Sequence, residues 1–195
     1  MAPRRGRGEP RRERRTHADL GAALSTLDEE EAFAFVESAE EDPFVLVLDQ
    51  VQDPRNLGAC LRSADGAGVN LVVIPKDRSV GLTDVVRHVA AGAAENLAIA
   101  RARNLARFLR ELAERGLRLV GASDRAENSL YDIDLNGPLA LVLGAEGSGL
   151  RRLTADCCDD LAQLPMKGAV DCLNVSVAAG VCLFEAARQR AGGEK

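Results

Sequence analysis

Three stretches of this chain place polar and glycine residues directly behind apolar runs, and any chemistry it performs belongs there. Asp53-Pro54-Arg55-Asn56 leads through Leu57-Gly58-Ala59-Cys60-Leu61 to Arg62. Gly144-Ala145-Glu146-Gly147-Ser148-Gly149 follows Leu139 to Leu143. Pro165 to Asn174 follows the short run Leu161 to Leu164, and carries Met166, Gly168, Asp171, Cys172 and Leu173. The side chains offered are two amides (Asn56, Asn174), one carboxylate (Glu146) and a guanidinium (Arg62) that stays protonated and can steady negative charge. The glycines let a backbone approach a ligand closely. Each polar residue also has a plainer account: Asn56 as a helix cap, Glu146 as a solvated carboxylate, Arg62 as a helix-surface arginine. Asp171 or Asn174 would cap the helix that follows. A helix start behind a flexible turn is equally a place for a polar or anionic ligand, so both readings stand.

Common alternatives fail on spacing. GAEGSG lacks the GxGxxG pattern of a dinucleotide fingerprint, and no acidic residue sits about twenty positions on at a second strand end. It also lacks the Lys-Ser/Thr of a P-loop. The five cysteines (Cys60, Cys157, Cys158, Cys172, Cys182) form no CxxC pair and no Cys/His cluster, so no metal is expected.

The elements that must position these loops alternate along the chain. Phe44 to Leu48 is a continuous apolar run, as in a strand buried on both faces. A polar loop, 49–56, should follow it, then a helix from about Leu57 to Gly66 ending at Gly68. Leu71 to Ile74 is a second buried strand. Strand, helix and strand in this order make a βαβ unit and a parallel sheet. Thr83 to Ala91 is expected as a helix capped by Thr83, Leu97 to Ala100 as a strand, Asn104 to Arg115 as a helix, and Leu117 to Ala122 as a strand. Leu139 to Leu143 is another buried strand, with a short helix near Leu150 to Thr154. A long helix starts near Leu173, placing Val175, Ala178, Ala179, Cys182 and Ala186 on one face and Glu185, Arg188 and Gln189 on the other. The fold class is α/β, a mostly parallel sheet flanked by helices. In such sheets ligands bind at the carboxyl ends of strands, so the three loops can share one crevice.

The chain has 195 residues, 46% hydrophobic and 28% charged, enough for one core. Its net charge of −5 excludes a uniformly basic nucleic-acid binder, and five Phe, one Tyr and no Trp leave little for base stacking. The charge is uneven. Residues 1–16 hold seven arginines against Glu9 and Glu13. That start is expected to be disordered, either as a solvated tail or as an arm for RNA phosphates. An acidic segment with one or two short helices over Ala18 to Val36 completes an N-terminal extension, 1–42, ahead of the main domain, 43–195. No signal peptide or membrane-length apolar run is present, so the thiols are expected to stay reduced in the cytoplasm.

Taken in order, NLGACLR (Asn56 to Arg62), LVLGAEGSGL (Leu141 to Leu150) and LPMKGAVDCLNVSVA (Leu164 to Ala178) resemble the three motifs of the SpoU/TrmH family. These are 2′-O-ribose RNA methyltransferases of the SPOUT superfamily. VVIPKDRSV, GAAENL, NLAR and LFEAARQR are similar to the RlmB-like branch, which methylates a guanosine ribose of 23S rRNA; a tRNA guanosine is the alternative substrate. From a different class, a catalytically weak RNA-binding or ribosome-assembly protein of the same fold is a further alternative.

The resemblance implies a C-terminal deep trefoil knot, a homodimer, and S-adenosylmethionine held in backbone loops. It assigns Gly144, Leu164 and Leu173 to the cofactor, with Gly149, Met166 and Cys172 in the same loops. It makes Arg62 the catalytic arginine, with Asn56 and Glu146 orienting it and the substrate, and Asn174 the asparagine of the third motif. Two departures stand out. Cys172 occupies a position where the family usually has serine. The N-terminal RNA-binding domain usual in RlmB-like enzymes has no counterpart in residues 1–42, so the chain is expected to be either a minimal or a truncated enzyme.

Overall fold

The computed structural model describes residues 26–145 and 147–192. The Arg-rich start, the segment 18–25 and Glu146 lie outside the described residues. One inner strand is Phe44–Asp49 (β1), buried at every position. Phe44, Leu46 and Leu48 join one apolar core, while Val45 and Val47 join a second on the opposite face. A strand covered on both sides must be apolar throughout, which is why it reads as an unbroken run.

The other strands are Leu71–Pro75 (β2), Ala98–Ala102 (β3), Arg118–Ala122 (β4), Asn128–Ser129 (β5), Leu139–Gly144 (β6) and Asp160–Gln163 (β7). They form one sheet in the order β3-β2-β1-β6-β4-β7-β5, every pair parallel. The expected α/β class and parallel sheet are thus observed. The two-residue β5 and a 3₁₀ turn at Leu130–Asp132 lie between β4 and β6, where no element was expected.

On one face lie Pro54–Ala67 (α2), Asp84–Ala90 (α3), Ala93–Asn96 (α4) and Val175–Gly192 (α7). On the other lie Glu29–Glu37 (α1), Leu105–Glu114 (α5) and Arg152–Ala155 (α6). The helix over 57–66 starts earlier than expected. Asp53 Oδ1 accepts the Arg55 N–H at 2.7 Å and Pro54 takes the first helical position, so Asn56 sits in the first turn of α2 rather than in a loop. Gly58 lets α2 meet α3: a Cβ there would lie 2.7 Å from Val89 Cβ and 2.8 Å from the Val86 carbonyl. α4 was not expected.

α1 is closed by a reciprocal cap between Asp28 and Glu31, and it lays Ala32, Phe33 and Val36 against the sheet. Phe33 stacks on Phe108 of α5 with centroids 4.5 Å apart. Leu27 adds a parallel bridge to Ala100, at the β3 edge. On α7 the apolar face is wider than expected, because Leu183 is buried with Val175, Ala179, Cys182 and Ala186. Gln189 therefore does not face away. Its side chain accepts the Leu135 N–H at 2.9 Å and donates to the Ile133 carbonyl at 3.1 Å. Arg190 donates to the carbonyls of Gly137 and Asp42 and lies over the Phe44 ring, fastening the end of α7 to the start of β1.

Gln50, directly behind β1, has φ of 65°, the left-handed region that favours glycine. Gln50→Gly should therefore raise unfolding stability by up to about 1 kcal/mol. The readout is a higher urea midpoint at unchanged slope; a lower midpoint would show that the glutamine side chain outweighs the backbone strain.

Candidate functional site

β1, β6, β4 and β7 end on the same edge of a parallel sheet, so the loops behind them are neighbours regardless of their separation in sequence. A crevice opens there, behind β4, β6 and β7, against the start of α7. All six residues expected at a cofactor line it: Gly144, Gly149, Leu164, Met166, Cys172 and Leu173. Gly147 joins them, with φ of 77°, whereas Gly168 does not. Gly144 is fixed by packing. A Cβ on it would stand 2.1 Å from the Gly149 carbonyl carbon and 2.3 Å from Leu150 N, so only glycine lets the loop fold back over the end of β6. The fold-back is pinned by the Gly149 N–H donating to the Ala145 carbonyl at 2.9 Å.

The fourth wall was not foreseen. Ala122, Ser123 and Asp124, at the end of β4, also line the crevice. The signal was available, since Ser-Asp follows a buried apolar run as the other three loops do. Asp171, expected only as a cap, lies exposed on the rim.

Capping falls instead to Asn174. Its Oδ1 accepts the Ser176 N–H at 3.0 Å and the Ser176 hydroxyl at 2.6 Å, and its carbonyl accepts the Ala178 N–H at 2.9 Å. The same side chain reaches across, Nδ2 donating to Asn56 Oδ1 at 3.1 Å. Two amides 118 residues apart in sequence thus join the first turn of α2 to the start of α7. Both helices present their N-terminal ends at this joint, where the free N–H groups favour negative charge. Arg62, further along α2, is exposed and makes no hydrogen bond or ion pair with the described residues. It is not part of the crevice wall, so the structure joins Asn56 to Asn174 but leaves Arg62 apart from them. Glu146 lies outside the described residues.

Among the described residues no group of three or more His, Cys, Asp or Glu could hold a metal ion, and no helix is long and apolar enough to cross a membrane.

The fold agrees with what similarity to known proteins shows. The SpoU rRNA Methylase family profile matches residues 43–184, and the chain belongs to this family. It is 59% identical over 148 residues to the 23S rRNA (guanosine-2′-O-)-methyltransferase RlmB of Shewanella oneidensis, covering 76% of this chain and 60% of that protein. To the RlmB of Ralstonia nicotianae it is 57% identical over 171 residues, 88% of this chain and 66% of that one. The chain therefore spans roughly 60–66% of the length of these relatives. The crystal structure of the SpoU methyltransferase AviRb from Streptomyces viridochromogenes in complex with AdoMet matches with a TM-score of 0.74 at 26% identity, over 80% of this chain and 64% of that one. An AdoMet-bound rRNA methyltransferase from Sinorhizobium meliloti matches with a TM-score of 0.71 at 31% identity, over 76% and 57%.

The thiols separate by position. Burial pushes Cys60, Cys158 and Cys182 up to about 12, whereas Cys172 is exposed on the crevice wall. At pH 8 a thiol reagent should modify Cys172 first, the half-buried Cys157 and Cys158 more slowly, and the buried Cys60 and Cys182 only on unfolding. S-adenosylmethionine should slow the Cys172 reaction, as read by peptide mass mapping. Labelling of Cys60 ahead of Cys172 would contradict the arrangement described.

Proposed function

We propose that this chain is an S-adenosylmethionine-dependent 2′-O-methyltransferase acting on a guanosine ribose of 23S rRNA. The observation that carries the reading is the glycine-lined crevice set beside the Asn56–Asn174 joint, in a chain close to 60% identical to RlmB proteins. That identity favours rRNA over a tRNA guanosine. The crevice suits the cofactor: the glycine loop offers backbone and small residues, Leu164, Met166 and Leu173 add apolar surface, and Gly144 gives the loop its curvature. Gly144, Gly149, Leu164, Met166, Cys172 and Leu173 would hold it, and bound there it supplies a methyl group on a sulfonium.

The chain's own residues have two tasks. One is to hold the ribose hydroxyl in line with that methyl, because orientation supplies much of the rate. The other is to steady the oxygen as its proton departs. Arg62 is unsuited to taking that proton, since guanidinium stays protonated in proteins. Its role in this reading is to grip a neighbouring phosphate and stabilise the developing alkoxide, with the proton leaving to phosphate or water. The facing helix ends at Asn56 and Asn174 favour the same negative charge, and Glu146 is assigned to orienting Arg62 and substrate.

The reading also includes a trefoil-knotted C-terminal half, a cytoplasmic location and a homodimer. Val177 and Phe184, seven residues apart on α7 and each about half exposed (51% and 54%), support a dimer face.

Arg62→Ala should leave the melting temperature and S-adenosylmethionine affinity near wild type while lowering methyl transfer by about 10²–10³-fold. Arg62→Lys should fail badly too, since an ammonium lacks the planar fork. Near wild-type turnover in Arg62→Ala would overturn the mechanism, and calorimetry showing tight NAD binding with none for S-adenosylmethionine would overturn the function. Cys172→Ser should preserve or raise activity a few-fold, since one neutral hydrogen bond contributes about 0.5–1.5 kcal/mol. Equal activity in Cys172→Ser and Cys172→Val would reduce residue 172 to a packing position.

A further inference from the structure

Asp49 is the only carboxylate among the described residues that is fully buried, and it lies at the mouth of the sheet rather than in its middle. It ends β1, and in the parallel register it stands opposite Gly144, where the glycine loop begins. Its Oδ1 lies 2.7 Å from Arg151 Nη2, an ion-pair approach that leaves this oxygen with spare acceptor capacity. Its Oδ2 accepts from Arg151 Nε at 3.1 Å and from the Arg151 backbone N–H at 3.3 Å. Arg151 is where the glycine loop ends. A single residue therefore holds both ends of the loop, its backbone through sheet pairing with Gly144 and its carboxylate through Arg151. Between those ends, Gly144, Ala145, Gly147 and Gly149 line the crevice.

We propose that Asp49 and Arg151 form a latch that sets the shape of the cofactor crevice, which makes both positioning residues for methyl transfer; this rests on the cofactor reading given above. A well-packed apolar pair would hold a fold together as well as a buried ion pair does. It would not fix direction. Here the Arg151 backbone N–H and Nε–H both meet Oδ2 while Nη2 stands beside Oδ1, which sets distance and angle for a loop whose backbone is the binding surface. The latch also carries α6, because the Arg151 carbonyl accepts the Thr154 and Ala155 N–H groups, each at 2.9 Å. The strained Gln50 follows Asp49 directly, and Val51 behind it is held by Ser79 and Val80, so the carboxylate has little room to drift.

The experiment uses the full chain, three single variants (Arg151→Ala, Arg151→Lys and Asp49→Asn) and the double variant Asp49→Asn/Arg151→Ala. Hydrogen exchange of the Gly149 amide, without ligand, reads loop closure directly; exchange of β1 and β6 amides and the melting temperature read the fold. In Arg151→Ala, Gly149 exchange should accelerate while the sheet amides keep their protection. If the loop is then closed about a tenth of the time, the S-adenosylmethionine dissociation constant rises about tenfold. The Michaelis constant for cofactor should rise with it, and kcat at saturating cofactor should stay close to wild type. Arg151→Lys should recover part of the affinity, and Asp49→Asn combined with Arg151→Ala should be no worse than the worse single variant. Unchanged Gly149 exchange, or faster exchange with unaltered cofactor affinity, overturns the latch. Protection lost across the whole sheet in all three variants also overturns it, because the pair would then serve the fold alone. A wild type that binds no S-adenosylmethionine overturns the cofactor reading and this assignment with it, whereas variants equal to a binding wild type overturn only the latch.

Discussion

The pairing of β1 with β6 is the constraint on which the rest depends. Six consecutive positions are matched in parallel, from Phe44 opposite Leu139 to Asp49 opposite Gly144. The two strands are about ninety residues apart, yet their register decides which loops meet. Shifting it by one residue would turn the inward set of each strand to the wrong face. It would also separate Asp49 from Gly144, and with them the start of α2 from the glycine loop. The crevice is therefore a product of sheet register more than of any loop's own preference.

Charge distribution follows a similar logic. A chain of net charge −5 is a poor general partner for a polyanion. In the proposed reading the positive character for RNA is local: Arg62 has no protein partner among the described residues, and two helix starts are joined through Asn56 and Asn174. The exposed ion pairs elsewhere, such as Arg115 with Glu37 and Arg188 with Glu185, neutralise their own charges. Such pairs contribute little to stability, and Arg62 takes part in none of them.

Much of this was legible in the residues because each buried strand announces itself as an apolar run. The crevice wall was legible for a different reason: GAEGSG and LPMKGAVDCLN carry family-specific spacing. What escaped was set by distance or by brevity. α4 has four residues and β5 two, too short for any period to register. The early start of α2 was written in Asp53-Pro54, a cap followed by a first-turn proline, and was passed over for a polar loop. Gln189 looked solvent-facing because the width of the apolar face on α7 depends on what packs against it. The contact between Asp49 and Arg151 spans 102 residues and leaves no local trace.

The fastening of α7 to the first strand has a consequence for the birth of the molecule. Arg190 holds Asp42 and Gly137, and β1 waits for β6 as its neighbour. At about 5–20 residues per second, roughly 5–18 s separate the synthesis of β1 from that of β6. Through that interval one edge of a strand made of Phe, Val and Leu stays unpaired on the nascent chain. An inner strand of the finished domain is thus an adhesive segment during translation, and folding cannot close until the last helix has left the ribosome.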